Sequence, residues 1–276
     1  MKNESAGISG VFRWIVLFLA CFGPILAGCA TDATRAGPEV RQVLAPTGVL
    51  RVGLYPGTPT SIIPDSGPGG SRGVGHDLGK EFAHRLGVPF EPVVFQKNAE
   101  VLEAVKSGKV DVAFTNASVE RAKNMDFTAP YMEIELGYLV PLGSPISSLA
   151  EVDRPGMRVG VTEKSSSDGT LSKDLKNARV VRAATLKKGI AMLSAGELDA
   201  YATNKATLFE MADALPGSRV LVGRWGLERH ALALPKGRDA GMAFARRFAE
   251  EARAGGLVQA AIVRAGLRGT VDTKQQ

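Results

Sequence analysis

Apolar positions along this chain recur with two different periods, and their order predicts strands and helices in alternation. Val49 to Leu54 forms a short apolar run broken by Tyr55-Pro56-Gly57, the pattern of a strand. The polar, Gly/Pro-rich stretch from Thr58 to Gly75 predicts a loop. Asp77 then opens a helix in which Leu78, Phe82 and Leu86 recur at helical spacing, and Gly87 stands where a left-handed cap ends it. A second strand is expected at Pro92 to Phe95, and far downstream Met242, Ala245, Phe248 and Ala249 make one apolar helical face.

The two ends of the chain break this pattern. Lys2 and Arg13 precede an apolar run, Trp14 to Ala27, that is short for a bilayer span and ends in small residues, as in a targeting segment. Leu26-Ala27-Gly28-Cys29 resembles the lipobox of bacterial lipoproteins, which implies acylation of Cys29 and cleavage before it. Residues 1–29 are therefore assigned to the signal, and residues 30–47, which lack periodicity, to a flexible tether. Residues 271–276 are a tail.

An internal repeat carries the most information. Glu103-Ala-Val-Lys-Ser-Gly-Lys-Val-Asp-Val-Ala-Phe-Thr-Asn116 matches Ala191-Met-Leu-Ser-Ala-Gly-Glu-Leu-Asp-Ala-Tyr-Ala-Thr-Asn204 at a constant offset of 88 residues, from 103 to 191. In each copy a helix ends at Gly108 or Gly196, and a strand runs from Asp111 or Asp199 to a Thr-Asn pair. Leu50-Arg-Val-Gly-Leu54 has a fainter echo in Met157-Arg-Val-Gly-Val161. Two similar βαβ lobes follow. Because ligands in open parallel sheets bind beyond the carboxyl ends of strands, Thr115-Asn116 and Thr203-Asn204 are expected on opposite walls of one cleft. Turn formation is the competing role for these asparagines.

Composition removes several functions. The formal net charge of +6 is spread along the chain and aromatic residues are sparse, so nucleic-acid binding is not indicated. Cys21 and Cys29 are the only cysteines, and Cys21 lies within the apolar run, so no disulfide is expected after cleavage. The three histidines, His76, His84 and His230, are scattered, and no metal-binding, Ser/His/Asp or phosphate-loop pattern occurs. Neither a cofactor nor a metal is expected, nor an enzyme.

From about Gly48 to Gly269 the chain resembles the family 3 bacterial extracellular solute-binding proteins, the polar amino-acid receptors of ABC transporters. The carriers are Gly48-Val-Leu-Arg-Val-Gly53, Gly73-Val-Gly-His-Asp-Leu78, Lys106-Ser-Gly-Lys-Val-Asp-Val-Ala113, Asp126-Phe-Thr-Ala-Pro-Tyr131, Gly160-Val-Thr-Glu-Lys-Ser-Ser166, Gly196-Glu-Leu-Asp-Ala200 and His230-Ala-Leu-Ala-Leu-Pro-Lys-Gly237. The resemblance implies an α/β type II periplasmic-binding-protein fold, two βαβ lobes joined by two crossing strands near Glu135 to Pro141 and Glu228 to Leu234. Lobe 1 would comprise residues 48–136 and 235–270, and lobe 2 residues 137–234.

The same resemblance places the ligand carboxylate on Arg121, whose guanidinium forks onto two oxygens, with Asn116 and Ser118 beside it and Thr115 adjoining. Ser165 and Ser166 precede a helix expected from Asp168, where free amides attract an anion. The family's acidic partners for a ligand ammonium fall here on Asn204 and Tyr55. A small carboxylate or other anion without a free ammonium is thus the first expectation, an atypical amino acid the second. Asp65 and Glu163 are candidate substitutes for the missing acid, and Trp225 and Tyr201 candidates for the pocket wall or the core.

The resulting expectation is a monomeric extracytoplasmic receptor in the cell envelope, held to the membrane by its lipid alone. It would pass an anionic or zwitterionic solute to an ABC transporter permease in the inner membrane. An accessory or sensor protein without a transport role and an exported dehydratase-like enzyme are the alternatives.

Overall fold

The structure is a computed structural model in which residues 36–64 and 70–271 are described. The targeting segment with Cys29, and Asp65, lie outside the described residues. In chain order the elements are α1 (Pro38–Leu44), β1 (Leu50–Leu54), α2 (Val74–Leu86), β2 (Phe90–Val94), α3 (Asn98–Lys106), β3 (Val112–Asn116), α4 (Val119–Ala122), β4 (Met125–Phe127) and β5 (Met132–Val140). They continue with β6 (Arg158–Thr162), α5 (Ser166–Asp174), β7 (Arg179–Ala183), α6 (Leu186–Ser194), β8 (Ala200–Asn204), α7 (Lys205–Asp213), β9 (Arg219–Val220), β10 (Gly226–Pro235), α8 (Asp239–Ala254) and α9 (Leu257–Ala265).

The strands pair in the order β2-β1-β3-β10-β5-β8-β6-β7, with β4 on β10 and β9 on β5. This order reads symmetrically from its centre. On one side β2, β1 and β3 are mutually parallel, on the other β7, β6 and β8 are, and each parallel set meets an antiparallel long strand in the middle. The two long strands, β5 and β10, pair antiparallel with each other over Gly226↔Leu136 to His230↔Met132. They are the two crossing strands, and each side has its own apolar core.

The repeat in sequence is a repeat in space. The strands β3 and β8, and the helices α3 and α6 before them, occupy corresponding places. Gly53 and Gly160 do as well, pairing with Ala113 and Tyr201 in the parallel register. Both are glycine because something packs against them too closely for a Cβ. At Gly53 that Cβ would lie 2.9 Å from Val101 Cγ1, and at Gly160 it would lie 2.5 Å from Leu198 Cδ1. Tyr201 fills the space over Gly160 and is fully buried, its hydroxyl 2.7 Å from Thr162 Oγ1. Trp225 packs on the core of the second side and donates from Nε1 to Gly137 O at 2.9 Å. Both aromatic candidates for the pocket wall are core residues.

Several boundaries move from their expected places. The stretch assigned to a tether contains α1, and Leu44 at its end is wholly buried against Gly241 of α8. A helix therefore precedes Gly48. The helix expected from Asp77 begins at Val74. Its first amides, from Val74, Gly75 and His76, donate to the carbonyls of Pro59, Thr60 and Ser61. Main-chain carbonyls of the preceding segment serve where a capping side chain would otherwise show in the sequence. Gly87 does end α2 in the left-handed region, at φ 76°. The C-terminal face holds: Met242, Ala245, Phe248 and Ala249 of α8 are all buried in the first core or against it. Beyond α9 the chain returns to the crossing strands, where Thr270 bridges Ile134.

Candidate functional site

A cavity of about 500 Å³ lies between the two sides of the sheet, and β10 supplies part of its lining through Glu228 and His230. That volume is within the range of small-molecule sites. Side chains alternate along a strand, so residues 228 and 230 share a face of β10 while Arg229 projects the other way, exposed.

Of the residues singled out in the sequence, Tyr55, Thr115, Asn116, Arg121, Ser165, Ser166 and Asn204 all line this cavity. Ser118 is not among the lining residues. It is the N-cap of α4, where its hydroxyl accepts from the Arg121 amide at 3.3 Å, and it presents Arg121 from the first turn after β3. The Arg121 guanidinium donates from Nη1 to Thr115 Oγ1 at 3.0 Å and to the Asn116 carbonyl at 2.9 Å. Desolvation lowers its pKa, opposed chiefly by the charge of Glu228. Burial, with the charge of Glu228 second, pushes the Tyr55 phenol up to about 12, so it stays a neutral hydroxyl.

The two Thr-Asn pairs do face one cavity, and their asparagines hold β10 from both sides. Asn116 accepts the Arg229 amide at 2.8 Å and donates across the cleft to Ser166 Oγ at 3.1 Å. Asn204 caps α7 by accepting the Thr207 amide at 3.0 Å and donates to Glu228 Oε2 at 2.9 Å. The turn role weighed for these asparagines is thus realised at Asn204 as a helix cap. Thr207 also donates to Thr58 Oγ1 at 2.9 Å, and Lys97 approaches Glu163 at 3.7 Å. These three contacts join the two sides across the cleft. Glu163 is occupied with Lys97 and is not a lining residue.

Helix α5 begins at Ser166, two residues before the expected Asp168, with Ser165 as its cap accepting the Asp168 amide at 3.1 Å. The helix N-terminus therefore meets the cavity through Ser165 and Ser166, and first-turn amides have no acceptor within a helix. Asp168 offsets part of this positive end. Its carboxylate accepts from the Lys164 amide at 2.9 Å and pairs with Arg182 at 2.9 Å.

Among the pocket residues that sequence reasoning missed, Glu228 and His230 are the buried titratable pair. Burial raises the Glu228 pKa, but the hydrogen bond and charge of His230, the charge of Arg121 and the Asn204 bond outweigh it and hold the group below the ordinary range. A partial signal was available: Glu228 and His230 stand two apart, hence on one face, in a crossing strand whose other residues apart from Arg229 are apolar. Among the described residues no cluster of His, Cys, Asp and Glu fit for a metal occurs, and no helix is long and apolar enough to cross a membrane.

Comparison with known proteins agrees with this architecture. The profile of the bacterial extracellular solute-binding proteins, family 3, matches residues 50–263. A probable histidine-binding protein of Neisseria gonorrhoeae is 25% identical over 251 residues, 88% of this chain and 91% of that one. The ABC transporter glutamine-binding protein of Bacillus subtilis is 28% identical over 138 residues, 49% of this chain and 50% of its own. The crystal structure of a solute receptor for L-cysteine of Neisseria gonorrhoeae superposes with a TM-score of 0.73 at 26% identity, covering 82% of this chain and 92% of that one.

Proposed function

Because the chain belongs to the family 3 bacterial extracellular solute-binding proteins, we propose that it is the extracytoplasmic receptor of an ABC transporter, closing its two lobes on a small carboxylate or amino-acid-like solute. The observation that carries this reading is the Arg121 guanidinium lining the cavity between the lobes, opposite the N-terminus of α5. A guanidinium and helix amides are two donors suited to one carboxylate. Asn116 and Thr115 fix the arginine, Ser165 and Ser166 supply the facing wall, and Tyr55 and Asn204 add to the polar lining. The reading is of a binding protein, as are the histidine-binding relative and the L-cysteine receptor that it matches along most of their length.

The test is a thermal-shift panel of organic acids and L-amino acids on the full chain in detergent, followed by calorimetry on whatever binds. Arg121→Ala should weaken binding by roughly 100-fold or more, since two charge-assisted hydrogen bonds contribute about 1.5–3 kcal/mol each. The melting temperature of the free variant should stay close to that of the parent. A large loss of stability with binding intact would make Arg121 structural and defeat the proposal. Attachment by lipid at Cys29 belongs to the same reading and rests on the Leu26-Ala27-Gly28-Cys29 motif. Cys29→Ser should move the protein from the membrane fraction to the soluble one, and unchanged membrane association would remove the anchor from the proposal.

A further inference from the structure

Five charged residues line the cavity: Lys97 is engaged by Glu163, Glu210 by Arg268, and Lys187 is exposed, which leaves Arg121 and Glu228, of opposite sign and not paired with each other. Arg121 spends one guanidinium nitrogen on Thr115 and the Asn116 carbonyl, and no ion pair joins it to Glu228 among the described residues, although each feels the other's charge. Glu228 in turn uses one oxygen for both its partners: Oε2 accepts from Asn204 Nδ2 at 2.9 Å and from His230 Nε2 at 3.2 Å. Its other oxygen, Oε1, makes no hydrogen bond among the described residues and is not one of the enclosed, unpartnered atoms there, so it remains open to the cavity that Glu228 lines. An ionised carboxylate offers about four acceptor sites, and two are taken.

Burying such a carboxylate is costly unless it is compensated. The simplest compensation, a direct bond from Arg121, is not made. What remains is a pocket with a donor pole at Arg121 and α5 and an acceptor pole at Glu228 Oε1. That arrangement matches a ligand carrying both signs. Asn204, a neutral donor, cannot receive an ammonium hydrogen on the nitrogen it turns to Glu228; it holds the carboxylate in place.

We infer that Glu228 is the specificity-determining residue of the pocket, its free oxygen accepting from the ammonium of an α-amino-acid-like zwitterion whose carboxylate lies on Arg121. This rests on the receptor reading above and changes the ligand expected from the sequence, an anion without an ammonium, to one that carries it. The carboxylate comes from a crossing strand, so it takes up the ligand at the part of the fold shared by both lobes.

Matched ligands test this without any variant. Calorimetry on the full chain would compare L-histidine, L-glutamine and L-leucine, and any other L-amino acid active in the panel, each with the 2-hydroxy acid of the same side chain, which differs in carrying a hydroxyl for the ammonium. The amino acid should bind at least roughly ten-fold more tightly. Glu228→Gln, which keeps the shape and the Asn204 neighbour but not the charge, should weaken the amino acid by roughly ten-fold or more and leave the hydroxy acid within about three-fold. Equal affinities for the two members of every pair would overturn the inference while leaving the receptor reading intact. Equal weakening of both by Glu228→Gln would likewise overturn it, marking Glu228 as a mere counter-charge to Arg121. Binding of organic acids alone would overturn it too. Silence from every compound would take down the receptor reading, and this inference with it.

Discussion

The two lobes solve the same folding problem with the same pair of residues at different depths. In the first, Arg51 clamps Asp111: its main-chain amide and Nε donate to Oδ2 at 3.0 and 2.9 Å, and Nη2 donates to Oδ1 at 2.8 Å. In the second, Arg158 clamps Asp199 through the same three atoms at 2.7, 3.0 and 2.9 Å. Each clamp locks the start of the lobe's first strand to the turn before the repeat strand. Asp111 is wholly buried and shared with Arg238, which also donates to the Leu44 carbonyl and so fastens α1. Asp199 stays about a third exposed, at 31%, with no such third member among the described residues. Duplicated geometry therefore does not mean duplicated energetics.

Removing each acid breaks the comparison most directly. Asp111→Ala should be the most disruptive change, because it strands two arginines: a loss of about 3–5 kcal/mol by urea unfolding. A loss below about 1 kcal/mol would mean that the first clamp is as weak as a surface pair. Next come the paired asparagines. Asn204→Ala deletes a helix cap and should cost about 0.5–2 kcal/mol before any effect through Glu228. Asn116→Ala should cost less in melting temperature yet open the cleft, read as a larger radius of gyration in solution, since it removes the bond to Ser166. The reverse ranking would show that the cleft contact outweighs the cap.

Asp199 gives the smallest effect and the sharpest pH signature. Its hydrogen bonds from Arg158 lower its pKa below 3.8 against the opposing effect of burial. A depressed folded-state pKa means stability that is complete above the unfolded value near 3.8 and is lost as pH falls through the folded one. Asp199→Asn should flatten that part of the acid limb of the stability curve, and its effect should shrink at high salt. An acid limb unchanged from the parent would remove Asp199 from the balance.

Much of this design is legible in the chain. The 88-residue offset, the two Arg-Val-Gly strands and the Thr-Asn pairs announce two related lobes, because a βαβ unit constrains residues close in sequence. The pairing of Arg51 with Asp111 was not legible, although both residues stand out in the repeat, since 60 residues separate them. Helix α1 escaped for a similar reason: its short amphipathic turn is held by the notch at Gly241 and by Arg238, both far downstream. Ser118 and Arg121 look alike as polar residues after β3, and only the cap geometry of α4 separates the one that lines the cavity from the one that aims it. For Glu228 the spacing to His230 hints at a shared face of the strand, but its place in the pocket depends on Asn204 on another element and on an oxygen left over, which spacing does not show.

Strand β10 carries one last implication. Under the proposed closure it is one of the two axles on which the halves would swing, and Glu228 and His230 on it also form part of the chamber wall. Bending such an axle would tilt that wall, so a solute resting there would be felt by the moving parts with no intervening relay.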